Sequence, residues 1–535
     1  MRYIQMGGER MGAAALCGIA ALFLLGGPAS AQGNNAVKLL SPDGMISIAG
    51  DFVSFDNDYY TVDTNLGRLK ISTAKVDCFG LPCPQVVADV RWGIHGSRTV
   101  GTTLIPNLLR GYAEHVGGTF AIEGTDDPAT RIARLYNGDG SLRAEIDLQT
   151  RGSGSAFPAL IDDHAEIGLT DRRLKGSDLE KLTAAGLPDL RDTENEIVLG
   201  VDGIVLITHP DNPVRNLTTE EIAKIWSGEI TNWMELGGGD HPINVHSYGE
   251  SSGDRAVLLD GIVRPNGRDE TVPVTRHGPY QDLVDAVMSD RGSIGYVGRW
   301  LARTNDVRLI DIREDCGLLS PPTDFRMKIE GYSLSRRLYA YKRPGEMNPE
   351  ARAFIDWTLT DEAQPYIKEA HFIDRDLERM QLQDMGMSLI HTAAVEPDFD
   401  GVQYAQMMSE LRHADRLSTS FRFRTGSSTL DVESVRNLRE LAARMEAGEF
   451  DGQEVLLVGF ADSVGKRESN TALAGRRAQE VRRILSDALS FDVRTRLRLT
   501  PLSYGELLPL SCNTSDVGRE RNRRVEVWLR RPAGA

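Results

Sequence analysis

The chain has 535 residues, 41% of them hydrophobic and 26% charged, with a formal net charge of −16 at neutral pH. That length implies two to four domains with ample material for buried cores. The acid excess, with no basic tract to displace counterions from phosphates, argues against nucleic acid as a partner.

The first elements are a targeting segment and a small module. Arg2 and Arg10 precede the apolar run "MGAAALCGIAALFLLGG", and Ala29-Ser30-Ala31 follow it. This is the pattern of a secretory signal over residues 1–31, too short and Gly-rich for a spanning helix. Cys17 lies inside the apolar run and departs from the lipoprotein cleavage pattern, so no lipid anchor is expected. The mature protein is expected to be soluble and periplasmic. Residues 37–86 alternate in short runs ("MISIAGDFVSF", "YYTVDT", "GRLKISTAKVDC") between turn sequences, which predicts a small antiparallel β module. In an exported protein "CFGLPC" reads as a disulfide loop, Cys78–Cys83, with two unpaired thiols in a turn as the alternative. Cys316 and Cys512 fall in different predicted domains and are left unassigned.

From about Val90 to Leu377 strands alternate with helical stretches, the text of an α/β domain with two lobes. Three loops at strand-to-helix turns are rich in small and hydroxyl residues: "HGSRTVGTT", "TRGSGSAF" and "YGESSGDR". Glycines admit a ligand close to the backbone. Hydroxyls add donors, and the first N–H groups of a helix favour an anion. One such loop is an ordinary turn; three in order are a pattern.

Together with "NLTTEEIAKIWSGEITNW", "GSIGYVGR" and "FIDWTLTDEAQPYIKEAHFI", these loops resemble the periplasmic phosphate-binding proteins of ABC transporters over nearly 290 residues. The resemblance implies two α/β lobes closing on an oxyanion, with an ABC permease as a partner. It places Thr99, Val100, Ser155, Asp171, Ser252 and Gly253 at ligand-contact positions. A carboxylate such as Asp171 can only accept hydrogen bonds, which favours an anion that still carries a proton. The third loop departs from the family, with Tyr248 where an arginine is usual and Asp254 where a threonine is usual. That exchange removes a bidentate anion contact and adds like-charge repulsion. Arg98, Arg172 and Arg255 are the arginines that stand to compensate.

"GESSG" also fits the nucleophile elbow of α/β-hydrolases, with Ser251 as nucleophile and His277, His371, His391 and His413 downstream. No second motif for an oxyanion hole accompanies it, so an enzyme is not expected. No Cys/His cluster has metal-ligand spacing and no nucleotide-binding glycine motif is present, so neither metal nor cofactor is expected.

Residues 378–416 read as a linker, and the charge balance changes after it. From Phe421 onward Lys+Arg number 20 against 16 Asp+Glu; the remainder carries 41 against 61. The stretch 417–531 reads strand, helix, strand, helix, strand, strand. In its second helix Leu473, Val481, Ile484, Leu485 and Ala488 share one arc, and Arg477 lies inside that arc. A buried arginine needs a partner, and an internal ion pair with Asp462 is the simplest one. "FRTGSSTL", "VGFADSVGKRESNTALAGRRAQEV" and "YGELLPLSCNTSDVGRERNRRVEVWL" resemble the OmpA-like domain that grips peptidoglycan. The resemblance implies a βαβαββ fold in which Asp462 and Arg477 bind the meso-diaminopimelate of the peptide stem, with Asn470 and Arg524 as further candidates. The whole then reads as a solute-binding protein held to the cell wall. A freely diffusing transport receptor and a wall-linker whose binding domain has lost its ligand are the competing readings.

Overall fold

The computed structural model describes residues 35–41, 47–55, 59–72, 76–80, 82–83, 90–250, 252–386, 389–390, 399–423 and 430–531. The signal segment 1–31 and Ser251 lie outside the described residues. Among the described residues no helix is long and apolar enough to cross a membrane.

The chain divides into two units, Met1–Val87 and Ala88–Ala535. The first is a five-stranded antiparallel sheet in the order 67–72, 59–64, 47–55, 36–40, 77–79. Val37, Leu39, Tyr60, Val62 and Val76 form its core. Cys78 and Cys83 are disulfide-bonded, as the sequence predicts.

The second unit begins with a two-lobed α/β body around one continuous sheet. Its first lobe carries Arg91–Gly96, Leu142–Gln149, Thr130–Tyr136, Thr119–Gly124 and Ile167–Thr170; its second carries Asn244–Tyr248, Val274–His277 and Ser293–Gly298. Two long antiparallel strands, Glu196–Thr208 and Ser335–Lys342, run between them and pair side by side. Glu196–Thr208 is buried at every position, so "EIVLGVDGIVLIT" is covered on both faces rather than alternating between core and solvent. Each lobe has its own core, one built on Ile94, Leu108, Leu148 and Phe354, the other on Trp226, Leu258, Val284 and Tyr296.

The C-terminal part is a five-stranded sheet in the order 379–381, 414–422, 524–530, 454–459, 498–503. Helices Val432–Glu446 and Arg467–Ala488 cover one face. The stretch 378–416, read as a linker, holds the edge strand Arg379–Gln381 and the helix Gly401–Leu411. Met407 and Leu411 of that helix pack with Leu456, Val458, Phe460 and Trp528 on the other face of the sheet. The final strand is therefore buried on both faces, although "RVEVWLR" alternates like a half-exposed one.

The two folds of this unit are clamped together. Cys316 and Cys512 form a disulfide across 196 residues. Beside it Ser511 donates to Glu314, and Cys512 N–H donates to Glu314 Oε2 at 2.6 Å. Arg422 donates to Ile329 O at 2.9 Å and pairs with Glu330, while Arg521 donates to Ser333 O at 3.1 Å.

Candidate functional site

The three loops do converge, and Asp171 is the residue on which they converge. Strand Arg91–Gly96 ends at Gly96 with φ 142°, where a Cβ would lie 2.0 Å from Leu169 O, so glycine alone fits. The chain then turns Ser97 inward, and its hydroxyl donates to Asp171 Oδ2 at 3.3 Å. Thr99, fully buried, exchanges a hydrogen bond with Tyr280 Oη at 3.0 Å, and Val100 N–H donates to Ser97 Oγ at 3.4 Å. The second loop is tied to the first through Gly152 N–H to Gly96 O at 2.8 Å. Its Ser153 donates a short hydrogen bond to Asp171 Oδ1 and accepts from Asp171 N–H. From the other lobe, Gly253 lies so close that a Cβ would sit 2.5 Å from Asp171 Oδ2. Ser252 caps the helix Gly253–Leu258 by accepting from Arg255 N–H.

Two expectations shift. Ser155 is turned back onto its own loop, donating to Gly152 O at 2.8 Å, and lines an acidic groove with Asp147, Asp162 and Glu166. Ser153, two residues earlier, supplies the hydroxyl at Asp171. In a loop reading "GSGS" sequence alone does not say which serine faces inward. Nor do the expected arginines fill the place left by Tyr248. Arg172 pairs with Asp178 at 2.6 Å and Arg255 with Glu270 at 2.8 Å, while Arg98 reaches Gly278 O at 3.4 Å.

The cation of the cleft is Arg336, from the strand between the lobes, which sequence reasoning missed. Its guanidinium donates to Asp202 Oδ2 at 2.8 and 3.2 Å, to Asp254 Oδ1 at 2.5 Å and to Asp171 Oδ2 at 3.4 Å. All four residues are buried. Burial works to lower the Arg336 pKa, but Asp254, Asp202 and Asp171 outweigh it and hold it well above the usual arginine value. Asp254 is the carboxylate that gives way: burial pushes its pKa up to about 6, and Asp171 and Asp202 add to that against the pull of Arg336. Its Oδ2 has no hydrogen-bond partner, and neither has Tyr248 Oη, which is packed edge-on between Tyr280 and Tyr296. With three carboxylates on one guanidinium the cleft is net negative, which opposes an oxyanion. Signals for Arg336 existed in "SLSRRLYAYK", where a strand buries one of two adjacent arginines, but not for its partners.

The second site lies in the C-terminal fold. Strand Glu454–Gly459 leads to Asp462, whose Oδ1 accepts from Val464 N–H at 3.0 Å and whose Oδ2 accepts from Arg523 Nη1 at 2.8 Å. Arg477 projects from helix Arg467–Ala488 and is 1% exposed, as its place on the apolar arc predicts. It is not bonded to Asp462. Its Nε and Nη1 have no hydrogen-bond partner, and its guanidinium stacks 5.1 Å from the Phe423 ring centroid. Burial lowers its pKa, as does Arg523, with Asp462 pulling the other way. Asn470 sits in the second turn of that helix, and its amide nitrogen meets Asp462 O and Val464 O at 3.1 Å, fixing the loop that carries Asp462. Arg524 is fully buried and committed to Glu526 and Leu508 O. Its neighbour Arg523, which the sequence reading passed over, is the one that meets Asp462.

Comparison with known proteins matches residues 142–362 to a PBP superfamily domain and residues 422–523 to the OmpA family. The chain is a fusion of a PBP-like domain with an OmpA-family domain. Its PBP-like part is similar to the phosphate-binding protein PstS of Borreliella burgdorferi, 24% identical over 271 residues covering 48% of this chain and 88% of that one. PstS of Bacillus subtilis is 27% identical over 257 residues, covering 48% and 79%. Among solved structures, an ABC-type phosphate transport receptor from Vibrio cholerae is 20% identical with a TM-score of 0.40, covering 53% of this chain and 99% of that one. The peptidoglycan-associated lipoprotein of Burkholderia pseudomallei is 22% identical with a TM-score of 0.18, covering 21% and 89%.

Proposed function

We infer that this is a periplasmic, peptidoglycan-anchored protein whose OmpA-family domain holds the wall and carries the PBP-like domain rigidly upon it. The observation that carries this reading is the unpaired, buried guanidinium of Arg477 beside Asp462. A buried arginine without a hydrogen-bond partner is costly, and a ligand carboxylate would relieve it. The meso-diaminopimelate of a peptide stem ends in an ammonium beside a carboxylate. Asp462 accepts from the former, and Arg477 and Arg523 donate to the latter. The N-terminal signal segment would deliver the chain to that compartment. Cosedimentation of the full chain with purified peptidoglycan tests it. Wild type should pellet and Asp462→Ala and Arg477→Ala should stay in the supernatant while keeping a folded circular-dichroism spectrum. Pelleting of both variants at the wild-type level would overturn the reading.

The PBP-like domain admits two readings. The names of its relatives, and the hydroxyls of Ser97 and Ser153 on Asp171, support binding of phosphate or a related oxyanion, with an ABC permease as the receiver. The Arg336 cage favours the other, a wall-linked domain whose cleft is filled by its own cation. An internal guanidinium joined to Asp171 of one lobe and Asp254 of the other does within the chain what a bridging ligand does in a binding protein. We take this second reading. Phosphate raising the unfolding temperature of the full chain by linkage would return the first.

A further inference from the structure

Between the two folds lies a cavity that neither candidate site uses. It has a volume of about 240 Å³ and is walled by Leu319, Phe325 and Ile329 of the PBP-like domain and by Met380, Leu508 and Leu510 of the C-terminal domain. A water's share of liquid volume is about 30 Å³, so this is space for about eight, and its walls offer them few partners. Arg326, Asp384 and Arg416 are the charged residues of its lining, and Arg416, 1% exposed, stacks its guanidinium over the ring of Phe325.

Arg416 is short of negative charge. It and Arg524 share one carboxylate, Glu526, all three being buried. Arg524 takes the well-formed bond, donating from Nε to Glu526 Oε1 at 2.7 Å, while its Nη2 lies 2.6 Å from the same oxygen and donates to Leu508 O. Glu526 Oε2 accepts from Trp528 Nε1 at 2.9 Å. Arg416 Nη2 lies 2.8 Å from Oε1 but out of line, and its Nε and Nη2 have no hydrogen-bond partner. Burial pushes its pKa down to about 10, and Arg524 and Arg326 push the same way against Glu526. Asp384, the one acid of the lining, accepts from Gln381 N–H to close a turn. Two guanidiniums on one carboxylate leave an unbalanced positive charge at the end of an apolar chamber, a state that an added anion relieves.

We propose that this interdomain cavity binds a small amphiphilic carboxylate, its head on Arg416 and its hydrocarbon body between Phe325, Ile329, Met380 and Leu510. The site needs walls from both folds, so the ligand would also strengthen their contact.

Octanoate is the probe, titrated calorimetrically into the full, disulfide-bonded chain, with hexanoate, 1-octanol and octylamine beside it. Octanoate should bind saturably at one site per chain and raise the unfolding temperature. Each methylene lost should weaken binding about three- to fourfold. Arg416→Met leaves Glu526 balanced by Arg524, and it should bind octanoate at least tenfold more weakly with 1-octanol unchanged. Met385→Trp, which fills the chamber and leaves Arg416 in place, should lose octanoate and 1-octanol alike, and it decides the matter if Arg416→Met fails to fold. No saturable octanoate binding by the wild type, equal binding by Arg416→Met, or octylamine bound as well as octanoate would each overturn the proposal.

Discussion

Arg336 and Arg477 are both arginines folded out of water, and their surroundings are opposite. Arg336 has three carboxylates around it, and its neighbour Asp254 is an acid pushed toward neutrality by the crowding. Arg477 has none within bonding distance, and its one nearby acid, Asp462, is taken by Arg523. Burying a charge is tolerable when its partners are built in, or when a ligand brings them. The first arrangement describes a finished structural element and the second an unfinished one. The two domains thus differ in what they leave for a ligand to do, and the OmpA-family side is the one left incomplete.

Four substitutions or conditions would break or sharpen this contrast. Arg336→Met leaves Asp171, Asp202 and Asp254 buried without a cation. Removing one partner of a buried ion pair costs about 3–5 kcal/mol, so urea unfolding should show a loss of that order. Unchanged stability would mean that the cage does not hold the lobes.

The pH dependence comes next. Asp254 titrates at about 6 in the fold, above about 3.9 for an unfolded aspartate. A raised acid stabilises least when ionised. Its contribution is fully favourable below about pH 4 and is lost as pH rises through about 6. At 1.36 kcal/mol per unit this is on the order of 3 kcal/mol, and Asp254→Asn should flatten that part of the stability profile. An identical slope in the variant would contradict the crowding.

Asp254→Thr restores a hydroxyl to the third loop, removes one carboxylate and releases Arg336 Nη1. A charge-assisted hydrogen bond is worth about 1.5–3 kcal/mol, so phosphate affinity should rise by about ten- to a hundredfold. If the wild type binds phosphate tightly and the variant loses it, Asp254 belongs to a working anion site.

The smallest effect is expected at Arg477. It gives up no hydrogen bond at Nε or Nη1, so Arg477→Met should leave stability within about 1 kcal/mol of wild type or raise it. A loss comparable to that of Arg336→Met would erase the distinction between the two arginines.

Much of this was legible before the structure. The 3.6-residue periodicity put Arg477 on the buried face of its helix, and the strand-helix alternation and loop order marked the two lobes. The Cys78–Cys83 loop could be read locally because its two cysteines are five residues apart. What failed to show was set by contacts distant in sequence. Arg336 meets Asp171, Asp202 and Asp254 across 165, 134 and 82 residues, and Cys316 meets Cys512 across 196. Ser153 rather than Ser155 meets Asp171, and Arg523 rather than Arg524 meets Asp462, differences of one or two positions. Loop and strand-end geometry decides such cases, and composition does not. The helix Gly401–Leu411 falls within the stretch read as a linker, and only Met407 and Leu411 of it are buried. It covers a sheet face that the strand pattern alone made look exposed.

The most direct test is a pair of calorimetric titrations of the full chain, one with a stem peptide containing meso-diaminopimelate and one with inorganic phosphate. The account predicts saturable heat from the peptide that disappears in Arg477→Ala, and none from phosphate. Saturable heat from phosphate together with none from the peptide would contradict it.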